Sequence, residues 1–99
     1  MQSISVEQLA ALTAPQLIDV REPDEFEAGH AFGAINMPLG SVEPAGLPDP
    51  AAPVYLICQA GGRSARAAQA LSRVGVAAVN VEGGTSAWVL AGLPTEAGQ

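Results

Sequence analysis

The residue best suited to take part in a chemical reaction is Cys58, the only cysteine of the 99-residue chain. An apolar run, Val54-Tyr55-Leu56-Ile57, leads directly into it, and the segment Gln59-Ala60-Gly61-Gly62-Arg63-Ser64 follows before a helix-forming stretch. This order predicts a thiol at the carboxyl end of a buried strand, beneath backbone N–H groups that open a helix. Such a position lowers the pKa of a thiol and can hold an anion.

The residues after Cys58 have chemistry that fits this position. Gly61 and Gly62 permit the positive φ angles that a tightly curled loop requires. Arg63 would add a permanent positive charge, and the Ser64 hydroxyl could bond the sulfur or cap the helix. A buried cysteine can instead be an inert apolar residue, and Arg63 a solvated residue at a helix start, so the residue types alone leave both interpretations open.

The charge balance narrows the class of partner. The chain has four arginines, no lysine and a formal net charge of -6. An acidic surface of this kind argues against nucleic acid and anionic membranes, because both need basic patches. Three of the four arginines lie between Arg63 and Arg73, close to the cysteine in sequence.

Length and cysteine content set further expectations. Ninety-nine residues predict one domain over residues 1–99. One cysteine excludes an internal disulfide, and with one histidine it does not favour a metal site. The amino terminus lacks the pattern of a signal peptide, and no apolar run approaches the roughly 18 residues of a membrane span. We therefore expect a cytoplasmic protein.

Helix and strand signals alternate along the chain. Ser5 and Gln8 have the spacing of a capping box, which predicts a helix to about Leu12. The other predicted elements are strands at 17–20, 34–37, 54–57 and 77–81 and helices at 24–28, 64–74 and 85–91. In the 64–74 helix the predicted apolar face is Ala67, Ala68, Leu71 and Val74. Residues 39–53 are expected to be mainly a connection with one helical turn, and residues 95–99 a frayed tail.

This alternation, with nearly continuous apolar strands, predicts an α/β fold in which helices cover both faces of a parallel sheet. In such sheets ligands collect outside the carboxyl ends of the strands. Cys58 lies at one of these ends, so the elements agree with the chemistry suggested by the thiol.

Four segments, in order, resemble the signatures of one family. Residues 58–64, called here the cysteine loop, resemble the active-site loop of single-domain rhodaneses, the thiosulfate sulfurtransferases. The other three segments are Asp19–Phe26, Gly29–Pro38 and Glu82–Trp88. The likeness extends over most of the chain, from Leu17 to Trp88.

The resemblance implies a rhodanese-like fold with a five-stranded parallel sheet and helices on both faces. It also implies a ping-pong sulfur transfer in which Cys58 carries a persulfide, without any other cofactor. The donor would be thiosulfate or a persulfide, and the acceptor cyanide or a thiol, in a small molecule or on a partner protein. Gln59, Ala60, Gly61, Gly62, Arg63 and Ser64 would then bind substrate and persulfide. Asp19 and Arg21 would support the site, chiefly as an ion pair.

Further details refine this expectation. Only four residues separate Cys58 from Arg63, whereas cysteine-dependent phosphatases have a longer loop, so sulfur transfer is favoured over phosphatase chemistry. Gln59 stands where the family often has a basic residue, which favours a persulfide donor or, as an alternative, a sulfur relay with weak thiosulfate turnover. A third hypothesis is a catalytically silent interaction module, against which the intact Cys58 argues. His30 and Trp88 are predicted to be structural. Without a second cysteine, the acceptor must be external.

Overall fold

The computed structural model describes residues 2–98. Five strands form one sheet: β1 (Gln2–Ile4), β2 (Gln16–Asp19), β4 (Ile35–Asn36), β5 (Val54–Ile57) and β6 (Ala78–Val81). Their order is β1-β6-β5-β2-β4, and every neighbouring pair is parallel. Two short strands, β3 (His30–Ala31) and β7 (Thr95–Glu96), pair antiparallel outside this sheet. The predicted α/β class and five-stranded parallel sheet are confirmed.

Four helices cover the sheet: α1 (Val6–Ala10), α2 (Pro23–Ala28), α3 (Gly62–Arg73) and α4 (Gly84–Leu90). Strand residues alternate between two apolar clusters because successive side chains point to opposite faces. Leu56 and Cys58 pack on the face that α3 covers, together with Ala68 and Leu71. Ile57 packs on the opposite face, in a cluster that includes Trp88 of α4. The same alternation therefore directs Cys58 toward α3.

Most predicted elements agree with the structure to within one or two residues, and β5 agrees at both ends. The Ser5–Gln8 capping box is present, although α1 ends at Ala10 rather than Leu12. A cap fixes a helix start, whereas the sequence has no comparable stop signal at this end. The 39–53 connection contains two 3-10 turns, at Leu39–Ser41 and Pro44–Gly46, instead of one helical turn.

The bounds of α3 differ from the prediction at both ends. The helix begins at Gly62 rather than Ser64, because Gly61 takes a left-handed conformation (φ 110°) and serves as the N-cap. It ends at Arg73, so Val74 lies beyond the apolar face and is 64% exposed. Gly75, at φ 89°, turns the chain directly afterwards. Arg66 and Arg73 lie on the exposed face of the helix, as expected.

The expectation of a frayed tail is wrong for residues 95–98, while Gln99 lies outside the described residues. Thr95 and Glu96 pair with Ala31 and His30, and the Gly98 N–H donates to the Glu27 carbonyl at 2.8 Å. The Trp88 indole N–H donates to the Pro94 carbonyl at 2.7 Å. These bonds join the tail to β3 and α4. Composition did not reveal them because they use mainly backbone groups.

Three strands, β1, β3 and β7, were missed, and of these only β1 belongs to the five-stranded sheet. β1 supplies an edge of the sheet and pairs with β6 through Gln2–Val79, Ser3–Asn80 and Ile4–Val81. Gln2 and Ser3 are exposed and Ile4 is half-buried, so the segment has neither an apolar run nor a clear alternation. Its position next to β6 is a tertiary choice that local pattern does not encode.

Candidate active site

Cys58 follows β5, the central strand of the sheet, and its side chain is 1% exposed. The Gly61 N–H donates to the Cys58 Sγ at 3.0 Å, and the Ser64 hydroxyl lies 3.3 Å from the same sulfur. The left-handed Gly61 lets the chain turn sharply enough for these groups to converge. A Cβ at Gly61 would approach the Gly83 nitrogen to 3.4 Å, so the turn is also closely packed.

Two opposing effects act on the thiol. Burial raises the pKa of Cys58, because it disfavours the charged thiolate. The Ser64 hydroxyl and the backbone N–H groups of Ser64, Gly61 and Ala60 lower it by hydrogen bonding to the sulfur. The hydrogen bonds win, and the pKa of the Cys58 thiol lies below its ordinary value. A nucleophilic thiolate is therefore favoured.

Ser64 is itself held by a residue that the sequence prediction missed. Its Oγ lies 2.6 Å from the Asn80 Oδ1 on β6, closer than its 3.3 Å approach to the Cys58 sulfur. A hydroxyl has one proton, so Asn80 and the sulfur compete for it. Asn80 was a polar residue inside an apolar strand, and that break in pattern was the available signal.

A second helix N-terminus orients the cysteine loop from outside. The Thr85 N–H and hydroxyl donate to the Cys58 carbonyl at 2.8 and 3.0 Å, and the Ser86 N–H donates to the Gln59 carbonyl at 3.0 Å. These are the unpaired first-turn donors of α4. They draw the loop carbonyls toward α4, while N–H groups of the loop face the sulfur. Gly84 makes room for this contact, because a Cβ there would lie 2.7 Å from the Gln59 carbonyl oxygen.

The predicted ion pair between Asp19 and Arg21 is present and fully formed. Arg21 Nη2 lies 2.8 Å from Asp19 Oδ2, and side-chain exposures are 4% and 0%. The same guanidinium reaches the cysteine loop, where Nη1 donates to the Gln59 Oε1 at 3.1 Å. The Gln59 amide in turn donates to the Ser86 hydroxyl at 2.7 Å. Gln59 is exposed, yet its side chain is held at both ends.

Arg63 is paired with a residue that the sequence prediction did not assign to the site. Its two Nη atoms donate to the two carboxylate oxygens of Glu25 on α2, at 2.7 and 3.0 Å. The Arg63 hydrogen bond, followed by the Glu22 N–H, lowers the pKa of Glu25 to about 2. The pKa of Arg63 is raised chiefly by Glu25, with a smaller contribution from the Cys58 thiolate. Arg63 therefore lies close enough to the sulfur to interact with it electrostatically, but its positive charge is balanced by the Glu25 carboxylate.

The remaining predicted site residues contribute through the backbone. Ala60 and Gly62 are exposed; Ala60 supplies an N–H near the sulfur and Gly62 begins α3. His30, predicted to be structural, is 1% exposed and stacks on Phe26 with ring centroids 3.6 Å apart. Its Nδ1 lies 2.7 Å from the Phe26 carbonyl oxygen, which agrees with that role. Trp88 is buried, as expected.

A shallow depression of about 450 Å³ borders the cysteine loop. Its lining includes Arg21, Glu25, Gln59, Thr85 and Val89. A small molecule approaching the loop from this side would meet one half of each ion pair. No helix within residues 2–98 is long and apolar enough to cross a membrane.

A parallel α/β sheet with a hydrogen-bonded cysteine between its central strand and a helix N-terminus is the arrangement of a rhodanese-like domain. The family model for this domain matches residues 5–91, and the chain belongs to that family. The resemblance read from the four sequence segments is thereby confirmed.

Individual relatives agree with this assignment. The uncharacterized protein YqhL of Bacillus subtilis is 43% identical, with 89% of this chain aligned to 72% of that protein. Thiosulfate sulfurtransferase 16 of Arabidopsis thaliana, a chloroplastic protein, is 37% identical, with 96% of this chain aligned to 91% of it. The crystal structure of a rhodanese-related protein from Thermoplasma volcanium matches with a TM-score of 0.88 and 34% identity, covering 97% of this chain and 98% of that one.

Proposed function

We propose that this protein is a sulfurtransferase that moves a sulfane sulfur through a persulfide on Cys58. The observation that carries the proposal is the buried Cys58 sulfur held by the Gly61 N–H at 3.0 Å and approached by the Ser64 hydroxyl at 3.3 Å. The relatives that are named thiosulfate sulfurtransferases support the class of reaction. The donor is thiosulfate or a persulfide, and no cofactor beyond the covalent persulfide takes part.

In the loading step the Cys58 thiolate attacks the outer sulfur of the donor. With thiosulfate, Cys–S⁻ and S–SO₃²⁻ give Cys–S–S⁻ and SO₃²⁻; a sulfur–sulfur bond forms, another breaks, and sulfite leaves with the electron pair. Sulfite is a stable anion, so no general acid is needed. N–H groups around the sulfur can stabilise the negative charge of the persulfide as they stabilise the thiolate.

In the unloading step an acceptor attacks the outer sulfur of the persulfide. Cyanide gives thiocyanate and regenerates the Cys58 thiolate, and a thiolate acceptor gives a new persulfide in the same way. The chain has no second cysteine, so the sulfur must leave to an external acceptor, either a small thiol or a thiol on a partner protein. A reducing compartment such as the cytoplasm would keep Cys58 available as a thiol.

Intact-mass spectrometry tests the proposal directly. The protein is incubated with thiosulfate or with an organic persulfide, desalted and weighed, and one added sulfur is expected. Cys58→Ser is the matched control, because it preserves the size of the side chain and should gain no mass. Absence of the adduct in the folded wild-type protein with both donors would overturn the proposal.

A second candidate function is a sulfur relay that accepts a persulfide from a partner and turns over thiosulfate poorly. The neutral Gln59 favours it, because its amide is already bonded to Arg21 and Ser86 and offers no charge to an anionic donor. Steady-state kinetics with each donor separate the two candidates. Fast persulfide loading with no saturation by thiosulfate indicates a relay, whereas Cys58→Ala without effect on sulfur chemistry would indicate a silent interaction module.

A further inference from the structure

Both arginines at the site, Arg21 and Arg63, form ion pairs with carboxylates. Arg63 holds Glu25 through two hydrogen bonds of 2.7 and 3.0 Å, and Arg21 holds the buried Asp19 at 2.8 Å. Gln59, the residue next to the sulfur in sequence, is neutral. The direct donors to the Cys58 sulfur are therefore a hydroxyl and backbone N–H groups, not a guanidinium.

We infer that Glu25 is a specificity-determining residue: by neutralising Arg63 it disfavours dianionic sulfur donors and selects donors that carry at most one negative charge, such as organic persulfides. The inference rests on the sulfur transfer proposed above. Glu25 lines the depression that reaches the cysteine loop at Gln59, and we take this depression as the path of an approaching donor. Its side chain is 34% exposed, which leaves its field open to that path.

The charge count at the reacting atoms gives the physical reason. A helix N-terminus supplies only about half a unit of positive charge, and at α3 this charge already stabilises the thiolate. Thiosulfate adds two negative charges beside that thiolate, with Arg63 unable to compensate. A protonated persulfide avoids this repulsion: Cys–S⁻ and R–S–SH give Cys–S–SH and R–S⁻, so one sulfur–sulfur bond forms and one breaks without a dianion.

The test compares thiosulfate with methanethiosulfonate, in which a methyl group replaces one anionic oxygen. Both deliver an outer sulfur through the same kind of sulfur–sulfur bond, so their ratio isolates the charge of the donor. Second-order rate constants for loading Cys58 are measured in wild type, Glu25→Gln and Asp24→Asn. Glu25→Gln keeps an oxygen to accept from the Glu22 N–H, which preserves the α2 cap. Asp24→Asn makes the same change of charge at an exposed neighbour on α2.

Glu25→Gln should raise the thiosulfate-to-methanethiosulfonate ratio roughly fivefold, because the negative charge that opposes Arg63 is removed. Asp24→Asn should leave the ratio close to that of wild type. An unchanged or lower ratio in Glu25→Gln, with both donors still loading, would overturn the inference and leave the proposed function intact. If wild type is loaded by neither of these donors nor by an organic persulfide, the proposed function is instead overturned.

Salt dependence of the wild-type protein gives a check that needs no variant. If Glu25 neutralises Arg63, thiosulfate is repelled by a protein of net charge -6. Added potassium chloride screens this repulsion, so it should speed loading or leave the rate unchanged. If added salt slows thiosulfate loading severalfold, a free cation attracts the donor and the inference is wrong.

Discussion

Replacing Ser64 by alanine tests whether a side chain, and not the backbone alone, tunes the thiol. The Ser64 hydroxyl lies 3.3 Å from the Cys58 sulfur, and the Gly61 N–H remains at 3.0 Å when the hydroxyl is removed. The substitution deletes one donor to the thiolate and leaves the charge and the helix intact. The pKa of Cys58 should therefore rise.

The size of the effect follows from the strength of one hydrogen bond to a charged group. Such a bond contributes about 1.5–3 kcal/mol, and the lower end applies here because backbone N–H groups still face the sulfur. A difference of 1.4 kcal/mol corresponds to about tenfold in an equilibrium. At a pH well below the pKa of the wild-type thiol, Ser64→Ala should therefore contain about tenfold less thiolate than wild type.

The assay is the rate of alkylation by iodoacetamide as a function of pH, since only the thiolate reacts. Ser72→Ala, also on α3 but two turns further along, is the matched control and should give the wild-type profile. Thermal unfolding of each variant establishes that the protein is folded. A Ser64→Ala profile that coincides with wild type would refute the assigned role, because the Ser64 hydroxyl would then donate to the Asn80 Oδ1 and not to the sulfur.

Asn80→Ala sharpens this test by removing the competing acceptor, whose Oδ1 lies 2.6 Å from the Ser64 Oγ. The hydroxyl proton is then free to bond the thiolate, so the pH profile of alkylation should move to lower pH. A move to higher pH, in the same direction as Ser64→Ala, would show that Asn80 positions the serine and does not compete with the sulfur.

Three further predictions concern the groups that support the loop. Glu25 has a pKa of about 2 against an ordinary 4.5, so its ion pair stabilises the protein above pH 4.5, and that contribution is lost as the pH falls toward 2. In urea unfolding, Glu25→Gln should therefore be less stable than wild type by up to about 1 kcal/mol at pH 7. Near pH 2 the two proteins should be equally stable. A gap that persists at pH 2 would contradict this. Gly84→Ala should destabilise the protein by about 2 kcal/mol more than Gly92→Ala, because a Cβ at Gly84 would lie 2.7 Å from the Gln59 carbonyl oxygen. Gly92 is the control, since it has a similar positive φ but open space around it. Equal losses of stability on thermal unfolding would count against the packing argument. Arg21→Ala should cost about 3–5 kcal/mol in urea unfolding, because Asp19 is 0% exposed and would be left unpaired, and a loss below 1 kcal/mol would mean that Asp19 is not held as a buried carboxylate.

The parts of the site that the sequence predicted are those set by local pattern. The apolar run of β5 predicts a buried strand that ends at the cysteine, and the two glycines predict the turn. Asp19 and Arg21 are two residues apart at a strand end, so their pairing is also a local matter. Four strands and the four helices followed from periodicity and capping signals in the same way.

The parts that were missed depend on which elements become neighbours. Glu25 and Arg63 are 38 residues apart, and Ser64 and Asn80 are 16 apart, so no spacing rule connects them. The bonds from the Thr85 and Ser86 N–H groups to the loop carbonyls each span 27 residues and are made by backbone groups that almost any residue type carries. Helical and strand periods describe one element at a time, and these contacts arise only when α2, α3, α4 and β6 pack together.

The two helix N-termini at the site have opposite partners, and this division explains how the pKa of a buried thiol is lowered. First-turn N–H groups of α4 donate hydrogen bonds to the carbonyls of Cys58 and Gln59, which directs those oxygens toward α4. The N–H groups at the start of α3 and in the loop before it face the sulfur. Gly84 permits the first contact and Gly61 the second, so each glycine is required by a backbone approach. Because the stabilising groups are backbone N–H groups and a hydroxyl, the electrostatic field at the sulfur is modest and fixed. The specificity for the sulfur donor is then determined by the side chains around the loop, chiefly Glu25 and Gln59.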